Sequence, residues 1–364
     1  MKVLHLTVHL GGGIGKAHAA LAPHMPADIR QRFVLLQEPI DNRHVDTIMR
    51  HGGEIITGAD TPMLRLLIAD ADVVQFEYWG HPALDELIAK IGIPQASVCW
   101  LHISGFGKPS LPLPLLDSVG RVALTSPISR PLLPPELLRK TSVINSGFGF
   151  AGRPAQLRPP RRKPSIAYLG TVDFKKLHRG IFGAVDALDD DMVPVLLWGH
   201  VSPEVVTCAA AMRDPKRIEL RGHTLDPVSA LAEADIFFYP LRRDHYGTAE
   251  NALLEAMSMG LVPVVLANPA EMEIVAHGKS GLVANTIDEC VSCLRRLAQA
   301  SSLREEMGAS AALAAQTKSP ALSARAFVAL WAGLVAERGS DAARPDPRLR
   351  RRERSHRTPA RKYA

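Results

Sequence analysis

The sequence has little cysteine, and the spacing of its cysteines does not indicate a disulfide framework. Four in 364 residues is far below the density of small secreted domains that disulfides hold together. Cys290 and Cys293 have the C-x-x-C spacing of some redox and metal sites. With Leu294 and Leu297 they also recur at i, i+3, i+4 and i+7, which is typical of the buried face of a helix. We expect core packing here, with redox or metal chemistry as the alternative.

Long apolar runs are also absent. No unbroken run reaches the roughly 18 residues that a membrane-spanning helix needs. The first eight residues are too short and too polar for a signal peptide and are typical of a buried first strand. Together these absences predict a cytoplasmic protein.

An excess of positive charge is confined to one end of the sequence. The net charge is +6, from 43 Lys/Arg and 37 Asp/Glu. Residues 341–364 contain nine of the basic and three of the acidic residues, which leaves 34 of each in residues 1–340. Nucleic-acid-binding domains usually carry a basic patch on the fold, so we expect no nucleic-acid partner. The Pro/Arg-rich residues 340–364 predict a disordered basic tail, whose charge suits an anionic membrane surface.

Apolar, β-branched segments alternate with helix-like segments along most of the chain. The strand-like segments are 3–8, 32–36, 54–57, 73–77, 95–101, 122–125 and 142–145, then 165–169, 193–198, 217–220, 236–239 and 262–266. Helix-like segments such as 14–25 and 82–91 lie between them. This alternation predicts parallel sheets covered by helices on both faces. We therefore predict an α/β protein with two Rossmann-like domains that face each other across a cleft.

Composition sets the boundaries of the predicted domains. Residues 151–164 contain four prolines and five basic residues, which is typical of an exposed linker. We assign 1–150 to an N-terminal Rossmann-like domain and 165–317 to a C-terminal Rossmann-like domain. The Ala-rich residues 318–338 predict a C-terminal helix that could pack back on the first domain. Because open parallel sheets bind ligands beyond the carboxyl ends of their strands, the loops there are the candidate functional segments.

A glycine-rich segment, Gly11-Gly12-Gly13-Ile14-Gly15-Lys16, follows the first strand and opens a predicted helix. Glycines let backbone N–H groups approach an anion at a helix N-terminus, so Gly12, Gly13 and Gly15 are candidate residues of a phosphate- or sugar-binding loop. The segment fits neither the Walker loop nor the dinucleotide fingerprint, in which Lys16 would be glycine. A tight turn without a ligand is the alternative.

Two further segments carry candidate ligand-binding residues in the second half. A strand ends at Gly170 and Thr171, and Lys176 follows before a predicted helix. A lysine there can reach a diphosphate as a point charge. In the segment 246–265, Asn251 and Glu255 are four residues apart and share one face of a short predicted helix, which places a carboxylate where it suits a ribose diol. For Lys176 and Glu255 the alternative is an ordinary surface residue.

In this order the segments resemble the retaining glycosyltransferases of family four, which have the GT-B fold. The most specific parts are Asn-Ala-Leu-Leu-Glu-Ala-Met-x-Met-Gly-x-x-Pro-Val-Val from Asn251 and Glu-Ile-Val-x-x-Gly-x-x-Gly-Leu-Val over 273–283. The resemblance implies that Lys176 neutralises the donor diphosphate and that Glu255 holds the ribose. It also implies that His102 approaches the donor sugar. The domain 1–150 would then lie on the acceptor side, and the domain 165–317 would bind the nucleotide-sugar. The donor-binding set is then Gly12, Gly13, Gly15, Gly170, Thr171, Lys176, Asn251, Ala252 and Glu255.

Two positions depart from that family's pattern. The family usually has arginine where this chain has Thr171, and it usually has a second glutamate where this chain has Gly247. Glu250 is the candidate to replace the missing carboxylate. It lies five residues from Glu255, which is about 140° around a helix. Glu250 can therefore replace the missing carboxylate only if it lies in the loop or at the very start of the helix.

The resemblance implies a hexosyltransferase that moves a sugar from a UDP- or GDP-sugar, with retention, to a saccharide or lipid-linked hydroxyl acceptor. We expect no cofactor and no metal, because Lys176 and helix N-terminal amides can stabilise the leaving diphosphate. The predicted catalytic residues are His102, Lys176 and Glu250. The alternatives are a sugar-nucleotide epimerase of the same fold and a non-catalytic nucleotide-sugar-binding protein. A lipid-linked acceptor would place the protein at the periphery of the inner membrane.

Overall fold

The first half of the chain forms a seven-stranded sheet whose neighbouring strands are all parallel. The computed structural model describes residues 1–38, 42–147, 163–188, 194–245 and 247–342, with side chains to residue 338. The strands are β1 (Lys2–Thr7), β2 (Arg30–Leu35), β3 (Glu54–Thr57), β4 (Val73–Tyr78), β5 (Ser97–Leu101), β6 (Arg121–Leu124) and β7 (Thr141–Val143). Their order is β3-β2-β1-β4-β5-β6-β7. The order reverses between β1 and β4, where doubly wound sheets bind ligands.

The second half forms a parallel six-stranded sheet of the same kind. Its strands are β8 (Ile166–Leu169), β9 (Val195–Trp198), β10 (Ile218–Gly222), β11 (Ile236–Tyr239), β12 (Val262–Leu266) and β13 (Leu282–Ala284). They are ordered β10-β9-β8-β11-β12-β13, with the reversal between β8 and β11. The prediction of two Rossmann-like α/β domains is confirmed.

Helices connect the strands and cover the faces of both sheets. They are α1 (Gly12–Leu21), α2 (Arg43–Arg50), α3 (Thr61–Asp70), α4 (Pro82–Ile91), α5 (Leu113–Ser118), α6 (Pro135–Leu138), α7 (Ile181–Asp186), α8 (Pro203–Ala210), α9 (Pro227–Ala232), α10 (Asn251–Ser258), α11 (Pro269–Met272), α12 (Ile287–Gln299), α13 (Ser301–Gln316) and α14 (Pro320–Ala342). Local sequence explains several starts. Asp60 caps α3 by accepting from Met63 N at 2.8 Å, and Thr286 caps α12 by accepting from Glu289 N at 3.1 Å.

The central strands are buried on both faces, as expected of parallel sheets that lie between helical layers. All residues of β4, β5, β11 and β12 are buried. This explains why these segments are nearly continuous apolar runs rather than alternating ones. Buried polar residues also occur in the strands, among them His5 in β1 and Gln75 and Glu77 in β4.

The last helix returns to the first domain. Phe327 and Trp331 of α14 are buried against Val3 and Trp100 of the N-terminal sheet, and Trp331 Nε1 donates to Gln75 Oε1 at 2.9 Å. The chain therefore crosses back after the second domain, and α14 completes the core of the first.

Boundaries near the C-terminus differ from the sequence-based expectation. The helix predicted over 318–338 begins at Pro320 and continues to Ala342, so residues 340–342 are helical rather than part of the predicted tail. Residues 343–364 lie outside the described residues, as does most of the predicted linker 151–164. The short strand β13 was not predicted, because three residues are too few to show a periodic pattern.

One segment has the length and apolar composition of a membrane span, Ser301–Arg338. In the structure it is two helices, α13 and α14, separated by residues 317–319. Trp331 and Phe327 are buried in the N-terminal core. Core packing accounts for the buried side chains of α14, whereas Leu322 and Val335 of the same helix are exposed.

The C-x-x-C pair lies on one face of α12. Cys290 is buried in the core of the second domain and Cys293 packs at its edge, as the helical spacing predicts. Burial raises the pKa of Cys290 to about 12, so the thiol is protonated and weakly reactive at neutral pH. All four cysteines are free thiols.

Candidate active site

A cleft of about 690 Å³ separates the two domains. Its N-terminal wall comes from the loops after β1, β4, β5, β6 and β7, and its C-terminal wall comes from the loops after β8 and β11 and the start of α10. The volume lies in the range of about 300–1,000 Å³ that is usual for small-molecule sites. The candidate residues that line it are Gly12, Gly13, His102, Gly170, Thr171, Lys176, Glu250, Asn251 and Ala252.

Side chains also join the two walls directly. Thr125, after β6, has its hydroxyl 2.5 Å from that of Thr248 in the second domain. Ser146, after β7, donates to Asn251 Oδ1 at 2.7 Å. The domains therefore meet at the point where the donor-binding segments converge.

Lys176 lies in a buried polar cluster on the C-terminal wall. Its Nζ donates to Glu250 Oε2 at 2.9 Å and to the hydroxyl of Tyr239 at 3.0 Å. Asp173 fixes the preceding turn, because its carboxylate accepts from the backbone N–H of Lys176 at 3.2 Å. The segment after β8 thus brings an ammonium group to the cleft surface, where 14% of the side chain is exposed.

Glu250 stands in the loop immediately before α10, with φ 39° and ψ 55°. It has the one positive φ among the described residues other than glycine, a conformation that costs roughly 1–2 kcal/mol. Its contacts offset this cost, since the hydroxyl of Tyr239 donates to Oε2 at 2.6 Å. Oε1 accepts no hydrogen bond within the described part of the chain. The carboxylate faces Lys176 and Tyr239, and the side chain is fully buried in the wall of the cleft.

Electrostatics favour a charged Glu250 beside a protonated Tyr239. Burial opposes ionisation, but Lys176, His245 and the Tyr239 hydroxyl together lower the pKa of Glu250. Burial and the charge of Glu250 raise the pKa of Tyr239 well above its usual range. The network continues through His245, whose Nε2 lies 3.1 Å from Glu271 Oε1, and burial raises the pKa of Glu271. Sequence reasoning missed His245 and Glu271, although both follow the carboxyl ends of strands.

The start of α10 presents backbone donors to the cleft. Asn251 and Ala252 line the cavity, and the helix has no side-chain cap. The carbonyl of Glu250 already accepts from the N–H groups of Leu253 and Leu254 at 2.9 and 3.1 Å. The first N–H groups of the helix are therefore available to an anion, which the helix dipole also attracts.

Glu255 makes an ion pair between the domains that the sequence did not reveal. Its side chain is fully buried on α10, and Oε1 pairs with Nζ of Lys16 on α1. Glu255 is not among the residues that line the cleft. In this conformation Lys16 holds the carboxylate that was expected to meet a ribose diol.

The glycines of the first loop divide into two roles. Gly12, with φ 61°, and Gly13 line the cleft, and a Cβ on either would meet no atom within 4 Å. Gly15 lies behind them, where a Cβ would stand 1.7 Å from the carbonyl oxygen of Leu10. Gly15 is thus required for the close approach of α1 to the loop, and it does not line the cleft as a donor-binding residue would.

Gly170 and Thr171 follow β8 as expected and line the same cleft. The carbonyl of Thr171 accepts from the hydroxyl of Tyr168 at 2.8 Å, which fixes the turn. The Thr171 hydroxyl is neutral and does not supply the positive charge of the arginine that the resembling family has there.

His102 lies at the end of β5 on the N-terminal wall. Its backbone N–H donates to the carbonyl of Tyr78 at 2.9 Å. Its Nε2 lies 3.1 Å from Oε2 of the buried Glu77, and its ring packs on Trp100 at a centroid distance of 4.5 Å. Burial lowers the pKa of His102, so the imidazole is neutral at pH 7.

One group among the described residues has the composition of a metal site. His5, His18 and Glu77 are buried, and one ligand atom from each lies within 4.8 Å of the others. The same atoms make close pairs without a metal, since His5 Nδ1 and His18 Nε2 each lie 3.0 Å from Glu77 Oε1. This cluster lies inside the N-terminal domain, beneath His102.

One family model matches most of the second domain. Residues 163–300 match the family model described as glycosyl transferases group 1. This region contains Lys176, Glu250 and Glu255. No curated protein matches the chain at the level of sequence.

Solved structures share the arrangement of both domains. The glycosyltransferase from Rickettsia africae has a TM-score of 0.71 at 15% identity, over 92% of this chain and 98% of its own. Anabaena Alr3699/HepE in complex with UDP has a TM-score of 0.69 at 14% identity, over 90% and 98%. Sucrose-phosphate synthase from Thermosynechococcus elongatus has a TM-score of 0.67 at 14% identity, over 93% and 100%. The chain has the GT-B fold, and this prediction is confirmed.

Proposed function

We propose that this chain is a retaining glycosyltransferase that transfers a hexose from a UDP- or GDP-sugar to a hydroxyl acceptor. One observation carries the proposal. Lys176 and the uncapped start of α10 lie on the same wall of the interdomain cleft, within the region that matches group 1 glycosyltransferases. Positive charge and backbone N–H groups are what the leaving nucleoside diphosphate needs.

Each candidate residue has a distinct role in this proposal. Lys176 neutralises the diphosphate, and Glu250 orients the ammonium of Lys176 beside the reacting carbon. Glu255 binds the ribose after its ion pair with Lys16 opens. His102 meets a hydroxyl of the transferred sugar from the opposite wall. These groups supply the charge that the leaving diphosphate requires, so the proposed reaction needs no metal.

UDP is the first nucleotide to test. Crystal structures of the similar Anabaena Alr3699/HepE contain UDP, UDP with glucose, or UDP-glucose. A donor panel of UDP- and GDP-sugars would be screened by thermal shift, because a ligand that binds only the folded state raises Tm. Release of free UDP or GDP and the anomeric configuration of the product, read by NMR, then identify the reaction.

The same assays separate the proposal from its alternatives. An epimerase would convert one nucleotide-sugar into another without transfer to an acceptor. A binding protein would raise Tm with a donor but would release no nucleotide, and the residues at Thr171 and Gly247 favour this second candidate. Product with inverted configuration would contradict the retaining assignment while leaving transfer intact.

We also propose that the acceptor is a saccharide or lipid-linked glycan and that the basic tail holds the cytoplasmic enzyme at an anionic membrane. The tail contains Arg350, Arg351, Arg352 and Arg354, and each charge close to an anionic surface contributes about 1 kcal/mol. Co-sedimentation with anionic and neutral vesicles would compare the full chain with residues 1–342, which retain all of α14. Equal binding of both forms, or binding indifferent to salt, would contradict the tether.

A further inference from the structure

A buried carboxylate links the cleft to the interior of the N-terminal domain. Glu77, in β4, is fully buried and meets three imidazoles. His5 Nδ1 and His18 Nε2 each lie 3.0 Å from its Oε1, and His102 Nε2 lies 3.1 Å from its Oε2. His102 alone among these histidines lines the cleft.

The cluster occupies one face of the sheet, where its neighbours are otherwise apolar. His5, Gln75 and Glu77 lie on the face that α1 and α14 cover, together with Trp100 and Trp331. Gln75 Nε2 adds a hydrogen bond to Glu77 Oε1 at 2.9 Å. Burying a carboxylate is costly unless it is paired. A fold that needed only packing at this place would be served by an apolar side chain, so the carboxylate indicates another role.

The contact between Glu77 and His102 selects one form of the His102 ring. An ionised carboxylate only accepts hydrogen bonds, so Nε2 of His102 must carry the hydrogen. The pKa of Glu77 is held well below its usual range, because His18, His102 and His5 outweigh the opposing effect of burial. A neutral His102 then has an unprotonated Nδ1, which makes no hydrogen bond within the described residues.

We propose that Glu77 is a positioning residue that fixes His102 as its Nε2–H tautomer, so that Nδ1 accepts a hydrogen bond from a substrate hydroxyl in the cleft. The inference rests on the proposed function for the identity of that hydroxyl, which belongs to a sugar. It predicts that the group opposite His102 is a neutral hydroxyl donor. A sugar carboxylate at the same place would present a second acceptor to Nδ1 and would be rejected.

The first test reads the tautomer in the free protein and does not depend on activity. Long-range ¹H–¹⁵N spectra of ¹⁵N-histidine-labelled full-length protein at pH 7.5 would be assigned with a His102→Gln variant. The expected result is a neutral ring with hydrogen on Nε2. A hydrogen on Nδ1, or a charged imidazolium, would overturn the proposal. Absence of any transferase activity would contradict the proposed function but would leave this result intact.

The second test separates positioning from packing. Glu77→Gln keeps the shape of the side chain but removes the charge, and we expect kcat to fall about 10- to 100-fold, as for other supporting partners of functional histidines. The donor KM should change less than about threefold. His5→Gln is the matched control, because it removes another partner of the same carboxylate without touching His102. It should lower Tm and leave kcat within about threefold. Equal losses of kcat in both variants would overturn the proposal.

Metal content provides the last control. The ligand set of two histidines and a glutamate also suits Zn²⁺, and a bound metal would replace the contacts of His5 and His18 with Glu77 Oε1. Elemental analysis of untagged protein should find less than about 0.1 equivalent, before and after incubation with Zn²⁺. One equivalent of Zn²⁺ that disappears in His5→Gln would overturn the hydrogen-bonded arrangement.

Discussion

A Cβ atom on Gly247 would lie 1.8 Å from Oε1 of Glu250. The Glu250 carboxylate therefore occupies the space in which a side chain at position 247 would begin. The loop conformation makes this possible, since Glu250 has a left-handed backbone that turns its side chain back under the preceding residues. The absence of a side chain at Gly247 and the position of the Glu250 carboxylate therefore depend on each other.

This relationship predicts that Gly247→Ala acts like a substitution of Glu250. The added methyl group must push the carboxylate away from Lys176 and Tyr239. We expect Gly247→Ala and Glu250→Gln each to lower kcat by at least about tenfold, with a smaller change in nucleotide affinity, which is the pattern of an interaction made mainly in the transition state. The double variant should be little worse than either single one, because coupled residues are not additive. Wild-type turnover in Glu250→Gln would remove Glu250 from the mechanism.

A second prediction exchanges the two positions. Glu250→Gly tolerates the positive φ at position 250 without strain, but it deletes the carboxylate and should be nearly inactive. Adding Gly247→Glu to it restores a glutamate at the position where the resembling family has one. We expect the double variant to recover at least about tenfold of the lost kcat/KM, measured as UDP release. Gly247→Gln on the same background is the uncharged control, and equal recovery with it would exclude a role for the charge.

Lys176 is expected to contribute to nucleotide affinity. Its loss removes a cation from the cleft, and hydrogen bonds to charged groups contribute about 1.5–3 kcal/mol. Lys176→Ala should therefore weaken UDP binding roughly 10- to 100-fold in calorimetry. The neighbouring Lys175 is exposed, and Lys175→Ala serves as the matched control for the loss of one positive charge. Unchanged affinity in Lys176→Ala would contradict the assigned site.

The two sheets were predictable from the sequence because parallel strands buried on both faces leave long apolar signatures. The segments over 236–239 and 262–266 match β11 and β12 residue for residue. The candidate residues after strand ends, such as Lys176 and His102, also reach one cleft, because carboxyl ends of parallel strands share an edge.

The pairings within the site were not predictable. Lys16 meets Glu255 across the domain boundary, and no local pattern encodes how two domains dock. The position of the Glu250 carboxylate depends on one backbone dihedral in a loop. The Glu77 cluster did leave a signal, since Gln75 and Glu77 are polar at alternate positions of an otherwise apolar strand.

The ion pair between Lys16 and Glu255 should compete with the nucleotide. A ribose that binds Glu255 must displace Lys16, and the fully buried Glu255 carboxylate then needs the ribose hydroxyls as its partners. We expect Lys16→Met to tighten UDP binding by about two- to fivefold, whereas Glu255→Ala should weaken it. Calorimetric measurement of UDP affinity in both variants tests this competition. Weaker binding in Lys16→Met would show that Lys16 contacts the ligand instead of blocking it.

The buried histidines should make the protein less stable in mild acid. Burial lowers the pKa of His5 and of His102, so the folded state binds fewer protons than the unfolded chain, in which imidazoles titrate near pH 6.5. Their contribution to stability is therefore present above about pH 6.5 and is lost as the pH falls towards 5. Glu77, whose pKa is lowered, adds a further loss below about pH 4.3. Glu271 acts in the opposite direction, because its pKa is raised.

Urea unfolding at pH 7, 6 and 5 measures how the free energy of unfolding depends on pH. Imidazoles of the unfolded chain titrate in this range, and burial lowers the pKa of His5 and of His102 in the folded state. We therefore expect the free energy of unfolding to fall between pH 7 and 5. His5→Gln removes one of these groups, so its free energy of unfolding should be lower at pH 7 but should decline less steeply. His24→Gln is the matched control, because His24 is an exposed imidazole on the surface, and its slope should equal that of the wild type. A wild-type slope in His5→Gln as well would mean that His5 titrates alike in the folded and unfolded states.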